Sequence, residues 1–328
     1  MTQTTFGPDG WTPDRMGDLT GKTYLITGAS SGTGFEACKA LLTRGAKVVM
    51  LNRSAPKSEA TIAALKDAVG EGADVRFIPL ELGSLASVRE AAAAVLDTVP
   101  QIDALLCNAA IAQVAGRRLT VDGFESQMGV NYDGHFLLCA LLFDRISASG
   151  GRIVVVGSTG YKMGLKRIKF EDLDAAENYS GWGAYSQSKL AQMMMGYEAQ
   201  RRIQAAGSAV QVHVCHPGAA RTSLIKGNAN WFMRFAWALI SPFAQSAEKG
   251  AWPALMCATE PGLAPARLYG PTQRAETAGP VGVGSLEDFA LHAEDGVPTA
   301  AGPWALGGAA TGAGRGGAPL AAACRRAR

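Results

Sequence analysis

Short runs rich in valine, isoleucine and leucine alternate with longer amphipathic stretches from Lys22 onward, and this alternation constrains the fold more than any other feature. Apolar strands that alternate with helices are typical of a parallel sheet with helices on both faces. The predicted strands are Thr23–Thr27, Ala46–Leu51, Asp74–Leu80, Ile102–Cys107, Arg152–Val156 and Val210–Cys215. The predicted helices are one that ends near Arg44, then Ser58–Val69, Ser84–Val99, Asp122–Ile146 and Trp182–Ala206. The sequence therefore predicts an α/β fold, a doubly wound parallel sheet in a single domain.

Three segments do not follow this alternation of strands and helices. Residues 1–18 are polar and predict an N-terminal extension of a domain that covers 19–290. The aromatic run Trp231–Ile240 predicts a substrate lid over about 222–245, although an ordinary packed helix explains it equally well. We expect disorder over 291–328, because this tail is dominated by Ala, Gly, Pro and Arg and offers little large apolar surface to bury. Its abrupt change of composition also raises the hypothesis of a frameshift or a missed stop.

Composition narrows the classes of partner. The formal charge of +3 over 328 residues is too small to suggest a nucleic acid or an acidic membrane surface as the main partner. No apolar stretch reaches the roughly 18 residues that a membrane span requires, and the N-terminus lacks the pattern of a secretory signal. The six cysteines are scattered without disulfide or metal spacing. We therefore expect a cytoplasmic protein with no metal site.

A glycine-rich turn lies between the first predicted strand and the first predicted helix. Its residues are Thr27, Gly28, Ala29, Ser30, Ser31, Gly32, Thr33 and Gly34. Glycines permit a tight turn and a close approach of the backbone to a pyrophosphate, and the helix N-terminus supplies free N–H groups. A turn of this kind between a first strand and a first helix predicts dinucleotide binding by a Rossmann fold.

The end of the second strand, which meets the adenosine ribose in such folds, indicates which nucleotide binds. It reads Leu51-Asn52-Arg53-Ser54 and carries no carboxylate. An acidic residue would hold the 2′-hydroxyl of NAD(H), whereas Arg53 can pair with a 2′-phosphate. This favours NADP(H) over NAD(H), and the alternative for Arg53 is a solvated surface side chain.

Tyr185 and Lys189 lie four positions apart in a predicted helix, which places them on one helix face. A free tyrosine has a pKa near 10, too high for acid–base work near neutral pH. A neighbouring ammonium and the positive charge of an oxidised nicotinamide would lower that pKa. The pair alone is a common chance match, and the alternative is two side chains on a helix surface.

The order of several motifs resembles that of the short-chain dehydrogenase/reductases from about Leu19 to Tyr269. The matching elements are the glycine turn, Cys107-Asn108-Ala109-Ala110, Asn131, Gly157-Ser158, Tyr185-x-x-x-Lys189, and His216-Pro217-Gly218 with Thr222. The interval from Ser158 to Tyr185 is long and contains Phe170-Glu171-Asp172-Leu173. These details resemble the retinol-dehydrogenase-like and protochlorophyllide-reductase-like branch, which handles bulky apolar carbonyls or alcohols.

The resemblance implies specific roles. Ser158 would hydrogen-bond the substrate carbonyl, and Tyr185 would exchange a proton with it. Lys189 would lower the pKa of Tyr185 and hold the nicotinamide ribose, and Asn131 would position a water of the proton relay. The cofactor-binding residues would be Gly28, Ser30, Ser31, Gly32, Thr33, Gly34, Arg53, Glu81, Leu82, Asn108, Ala109, Tyr185, Lys189, Pro217, Gly218 and Thr222. The resemblance also suggests a homodimer or homotetramer, although members of this branch are often monomeric or membrane-associated.

The sequence thus predicts hydride transfer between NADP(H) and a carbonyl or alcohol of a hydrophobic small molecule, with the hard chemistry supplied by the cofactor. The alternative is an NADP-binding sensor or scaffold with vestigial catalysis, against which the intact Ser158, Tyr185 and Lys189 argue. A hydrolase triad that pairs Ser158 with His216 lacks a nucleophile-elbow motif. We interpret His135 and His216 as structural, since neither has a second ligand at metal spacing.

Overall fold

The computed structural model describes residues 6–164, 166–220 and 245–291, and in this part eight strands form one sheet. The strands are β1 Thr23–Thr27, β2 Lys47–Asn52, β3 Val75–Pro79, β4 Ala104–Cys107, β5 Arg152–Val156, β6 Gln211–Cys215, β7 Leu268–Gln273 and β8 Ala278–Val283. Their spatial order is β3-β2-β1-β4-β5-β6-β7-β8. All neighbours pair in parallel except β7 and β8, which are antiparallel. The prediction of a doubly wound parallel sheet is confirmed, with an antiparallel edge strand added.

The strand order reverses between β1 and β4, because the chain first builds outward to β3 and then returns to the other side of β1. The connections on the two sides of this point leave the sheet in opposite directions. A crevice therefore opens beyond the carboxyl ends of β1 and β4, and open α/β sheets bind their ligands at such a crevice.

Helices cover both faces of the sheet, and each face carries its own apolar core. The helices are α1 Gly32–Thr43, α2 Ala55–Val69, α3 Leu85–Thr98, α4 Gly134–Ala148, α5 Gly181–Ala205 and α6 Ala247–Thr259. Short 3-10 turns lie at Pro13–Met16, Thr159–Met163, Phe170–Asp172 and Asp288–Ala290. Among the described residues, no helix has both the length and the apolarity that crossing a membrane requires.

The predicted helix Asp122–Ile146 is wrong at its N-terminal end. The chain becomes helical at Ser126, after Glu125, whose carboxylate accepts the N–H groups of Gln127 and Met128, each at 2.9 Å. The Asp122 carboxylate instead accepts the N–H of Leu85 at 2.8 Å, which holds it in a turn. A π-helical turn, Gly129–Asp133, follows before α4 begins.

The N-terminal segment packs onto the domain. Trp11 is fully buried, its backbone N–H donates to the carbonyl of Val281 at 2.9 Å, and its indole donates to Glu260 Oε2 at 2.7 Å. Most of the predicted lid at about 222–245 and of the predicted disordered tail at 291–328 lies outside the described residues.

Candidate active site

The glycine turn is shaped by positions that exclude side chains. Gly28 has a φ of +67°, a conformation that favours glycine, and a Cβ there would lie 2.8 Å from Ala109 Cα. A Cβ on Gly34 would lie 2.4 Å from the carbonyl oxygen of Gly28. Helix α1 begins at Gly32, so its first N–H groups have no helical carbonyl to bind and face the crevice. The structure thus builds the close-packed cradle that a pyrophosphate requires.

Asn108 joins the glycine turn to the end of β4. Its Nδ2 donates to the carbonyl of Thr27 at 2.9 Å, and its Oδ1 accepts from the hydroxyl of Thr33 at 3.1 Å. The Thr27 hydroxyl in turn accepts the backbone N–H groups of Asn108 and Ala109, both at 2.9 Å. These bonds fix the floor of the crevice between the two strand ends.

The end of β2 holds one buried polar side chain and one exposed charge. Asn52 is buried and accepts the N–H of Ala29 at 2.8 Å, so it ties the glycine turn to β2. Arg53 points into solvent and lies 3.3 Å from Glu81 Oε2, with side-chain exposures of 78% and 37%. The other carboxylate oxygen of Glu81 accepts the N–H of Gly83 at 2.9 Å. The predicted residues Arg53 and Glu81 therefore meet each other at this corner.

Tyr185 and Ser158 come together beyond the end of β5. Tyr185 lies in the second turn of α5 and is buried, and Ser158 follows β5 and accepts the N–H of Gly160 at 3.1 Å. Burial raises the pKa of Tyr185, and a hydrogen bond with Ser158 lowers it by less. The phenol is therefore protonated at neutral pH in this structure, as a proton donor to a carbonyl must be.

Lys189 lies one helical turn beyond Tyr185 and is also buried. Its Nζ donates to the carbonyl of Val156 and to Gln192 Oε1, each at 2.8 Å. Burial lowers the pKa of Lys189 to about 7, and the nearby Cys215 and Cys107 oppose this shift. The predicted mechanism needs Lys189 to be protonated. With a pKa near neutral pH, a small change in its surroundings determines whether Lys189 carries its positive charge.

Asn131 occupies the π-helical turn and is fully buried. Its Oδ1 accepts the N–H of Ile111 at 2.9 Å, while its Nδ2 donates to the carbonyl of Ile111 at 3.0 Å and to Ser188 Oγ at 2.9 Å. Its side chain therefore fastens the segment after β4 to α5. The role in a water relay stays a prediction.

Two histidines stabilise the backbone around the crevice. His135 Nδ1 lies 3.0 Å from the carbonyl oxygen of Asn131, and its Nε2 lies 2.9 Å from the Thr27 hydroxyl. Burial lowers the pKa of His135 to about 4. His216 Nδ1 accepts the N–H of Gly218 at 3.2 Å, and burial lowers its pKa to about 4 as well. Both imidazoles are therefore neutral at physiological pH.

Most predicted residues line one crevice. The glycine turn, Asn108 and Ala109 lie at the ends of β1 and β4, Ser158 with Tyr185 and Lys189 lies at the end of β5, and Pro217-Gly218 follows β6. Leu82 follows β3 and is buried. Thr222 lies outside the described residues. Among the described residues, no group of three or more His, Cys, Asp or Glu side chains is arranged to hold a metal ion.

The sequence analysis did not identify three residues that hold predicted site residues in place through hydrogen bonds. Asn52 orients the glycine turn, Ser188 binds Asn131, and Gln192 binds Lys189. Gln192 was detectable in principle, because a position three residues after Lys189 lies on the same helix face. Asn52 offered only its place at a strand end.

Comparisons with known proteins identify the family of this chain. A family model described as short chain dehydrogenase matches residues 22–170. Retinol dehydrogenase 12 of Homo sapiens is 35% identical over 248 residues, which are 75% of this chain and 76% of that protein. Retinol dehydrogenase 13 of Mus musculus is 39% identical over 229 residues, 69% of this chain and 66% of that protein. The crystal structure of an uncharacterized protein from Mycobacterium paratuberculosis has a TM-score of 0.68 at 34% identity and covers 86% of this chain and 91% of that one.

The chain belongs to the short-chain dehydrogenase/reductase family, which consists of nicotinamide-dependent oxidoreductases. Within that family it is retinol-dehydrogenase-like. The predicted family is confirmed.

Proposed function

We propose that this protein transfers a hydride between NADP(H) and the carbonyl or alcohol carbon of a hydrophobic small molecule, with Tyr185 as the general acid or base. The observation that carries the proposal is the convergence of the phenol of Tyr185, the hydroxyl of Ser158 and the ammonium of Lys189 at the end of β5. These groups adjoin a cradle shaped for a dinucleotide.

The residues present fit the cofactor. The absence of a side chain at Gly28 and Gly34 lets the turn pack closely against Ala109 and Asn108, and the N-terminus of α1 offers N–H groups to a pyrophosphate. Arg53 is an exposed cation at the end of β2, where a 2′-phosphate would lie, and the buried side chain at this strand end is the amide of Asn52 and not a carboxylate. When bound, the nicotinamide supplies or accepts the hydride.

The protein's own groups manage the proton. In carbonyl reduction, Ser158 donates a hydrogen bond to the carbonyl oxygen, and the protonated Tyr185 phenol gives its proton to that oxygen as negative charge develops. In alcohol oxidation, Tyr185 must first be a phenolate. The positive charge of Lys189 favours the phenolate, because an opposite charge stabilises the ionised form.

The proposed substrate class rests on two observations. The relatives reported above are named retinol dehydrogenases, and retinol is a long apolar alcohol. In addition, the segment between Ser158 and Tyr185 exposes the apolar side chains of Met163 and Phe170. An apolar substrate would cover such side chains and gain hydrophobic free energy.

Replacing Tyr185 by Phe tests the proposal. Retinal and shorter hydrophobic aldehydes would be incubated with NADPH, and its oxidation would be followed by absorbance. We expect Tyr185→Phe to lower kcat by about 10²- to 10⁴-fold, because the proton donor is lost, while the Kd for NADPH changes by less than about twofold.

Tyr197→Phe is the matched control, since Tyr197 is a buried tyrosine of the same helix whose hydroxyl faces the carbonyl of Arg267 at 3.5 Å. It should retain turnover. Wild-type activity in Tyr185→Phe would remove Tyr185 from the chemistry. Tight NADPH binding with no turnover of any aldehyde or alcohol would instead favour the NADP-binding sensor.

A further inference from the structure

Helix α5 carries three buried glutamines whose partners differ in kind. Gln187 Oε1 accepts the backbone N–H of Lys169 at 3.0 Å, and Gln200 Oε1 accepts that of Val212 at 2.6 Å. Gln192 Oε1 instead accepts from the Nζ of Lys189 at 2.8 Å. Two of these amides therefore hold backbone, whereas the third holds a side chain of the proposed active site.

The amide of Gln192 is expensive to bury. Its side chain is fully inaccessible to solvent, and its Nε2 has no hydrogen-bond partner. An unsatisfied buried donor costs about 1–3 kcal/mol, so a methionine of similar length would suit this position better if packing alone mattered. If the amide were turned over, its Nε2–H groups would face the Lys189 ammonium, and both would be hydrogen-bond donors. The presence of Lys189 therefore determines that Oε1 of Gln192 faces it.

The surroundings of Lys189 explain what Gln192 supplies. Three titratable groups on other elements interact electrostatically with the Nζ of Lys189, namely Cys215 on β6, Cys107 on β4 and His135 on α4. Tyr185 lies on the same helix as Lys189. None of these groups is a carboxylate, and the neutral imidazole of His135 does not balance an ammonium. The acceptors that do so are the carbonyl of Val156 and the amide of Gln192. Removing one of the two leaves a buried cation with half of its hydrogen bonds.

We propose that Gln192 is a positioning residue that keeps the Lys189 ammonium charged and fixed at the end of β5, ready to hold the nicotinamide ribose. This inference rests on the proposed function, since it assumes that Lys189 meets the cofactor. Gln192 acts through Lys189 and makes no contact with substrate in this scheme.

Calorimetric titration with NADP⁺ from pH 5.5 to 8.5 tests the inference without a substrate. In the wild type we expect the affinity to fall as the pH rises through about 7, where Lys189 loses its proton. In Gln192→Met that fall should centre about one pH unit lower, because the ammonium loses a charge-assisted hydrogen bond. The variant should then bind NADP⁺ about fivefold more weakly at pH 7 and within about twofold of wild type at pH 5.5.

Gln200→Met is the matched control on the same helix. It leaves the buried N–H of Val212 without its acceptor, so it should lower Tm by several degrees while its NADP⁺ profile keeps the wild-type midpoint. Gln192→Asn retains an amide on a shorter side chain and should shift the profile in the same direction as Gln192→Met. If Gln192→Met does not fold, the profile of Gln192→Asn tests the inference instead.

The inference is overturned if neither Gln192 variant moves the midpoint, or if NADP⁺ affinity is independent of pH in the wild type. The proposed function fails by a separate route, namely full turnover in Tyr185→Phe. An inactive Tyr185→Phe together with an unmoved Gln192→Met profile would reject only the role of Gln192.

Discussion

The two ends of the proposed cofactor crevice differ in how far they are removed from water. At the nicotinamide end, Lys189 and Tyr185 are 2% and 7% exposed. At the adenosine end, the side chains of Arg53 and Glu81 are 78% and 37% exposed. Solvent screens the second pair, and exposed ion pairs contribute about 0–1 kcal/mol, whereas burial at the first end moves the pKa of Lys189 to about 7. Under the proposed function, the chemistry therefore takes place where electrostatic interactions are strong, and the nucleotide is selected where they are weak.

The largest expected effect belongs to the buried end. Lys189→Met should lower kcat by about 100-fold or more, because the charge that favours the Tyr185 phenolate and orients the ribose is removed. Steady-state kinetics in both reaction directions would measure the loss. Lys22→Met is the matched control, as Lys22 is an exposed lysine paired with Asp103 at 3.0 Å, far from the crevice. Comparable losses in both variants would contradict the assignment.

The same variant tests the burial of the charge. Burial lowers the pKa of Lys189 to about 7 in the folded protein, whereas a lysine in the unfolded chain titrates near about 10.4. Between these values the unfolded state binds more protons, so the free energy of unfolding of the wild type should rise with pH relative to Lys189→Met. The slope is at most about 1.4 kcal/mol per pH unit. Urea unfolding at pH 7 and 9 would measure it, and a difference between the two proteins that is constant with pH would show that Lys189 is not desolvated.

A smaller effect is expected where the two ends meet, at the glycine turn. The methyl group of Gly34→Ala would lie 2.4 Å from the carbonyl oxygen of Gly28 and 2.8 Å from Asn108 Nδ2. Relieving that overlap costs about 1–3 kcal/mol and distorts the cradle, so the Kd for NADPH should rise about 30-fold. Gly72→Ala is the control, because a Cβ at Gly72 meets no atom within 4 Å. Unchanged NADPH binding in Gly34→Ala would place the pyrophosphate elsewhere.

The smallest effects belong to the exposed end. Arg53→Ala should reduce the preference for NADPH over NADH about tenfold, the lower end of what a charge-assisted hydrogen bond contributes, because solvent screens the site. The ratio of kcat/KM for the two cofactors measures this preference, and an unchanged ratio would leave Arg53 a surface side chain.

Glu81→Gln provides the opposing change. Glu81 holds Arg53 at 3.3 Å and sets a negative charge beside the proposed 2′-phosphate site. Its neutralisation should raise the preference for NADPH by about two- to threefold. If the preference for NADPH rises in Glu81→Gln and falls in Arg53→Ala, the pair selects the nucleotide. If the preference changes in the same direction in both variants, this assignment is rejected.

The sequence by itself determined the architecture and the family, while the residues that it assigns to the site stay a prediction. β1 and β5 have the predicted bounds, and the other four predicted strands differ by one or two residues at their ends. Five of these strands are buried along nearly their whole length, so hydrophobic burial specifies them, whereas β3 at the edge of the sheet contains Arg76 and is mostly not buried. The antiparallel hairpin of β7 and β8 was not predicted, because Gly and Pro interrupt both strands and weaken the local signal.

Only the tertiary structure decided how the site residues are held. The partners of Lys189 are a strand carbonyl 33 positions away and an amide on its own helix, and Arg53 meets Glu81 across two strand ends. Trp11 reaches Glu260 from the opposite end of the chain. A side chain's pKa and partners depend on which distant segments exclude water around it, and that information exists only once the chain has folded. The types and order of the residues therefore predict the kind of reaction, whereas burial in the folded protein sets the pKa values of the groups that would carry it out.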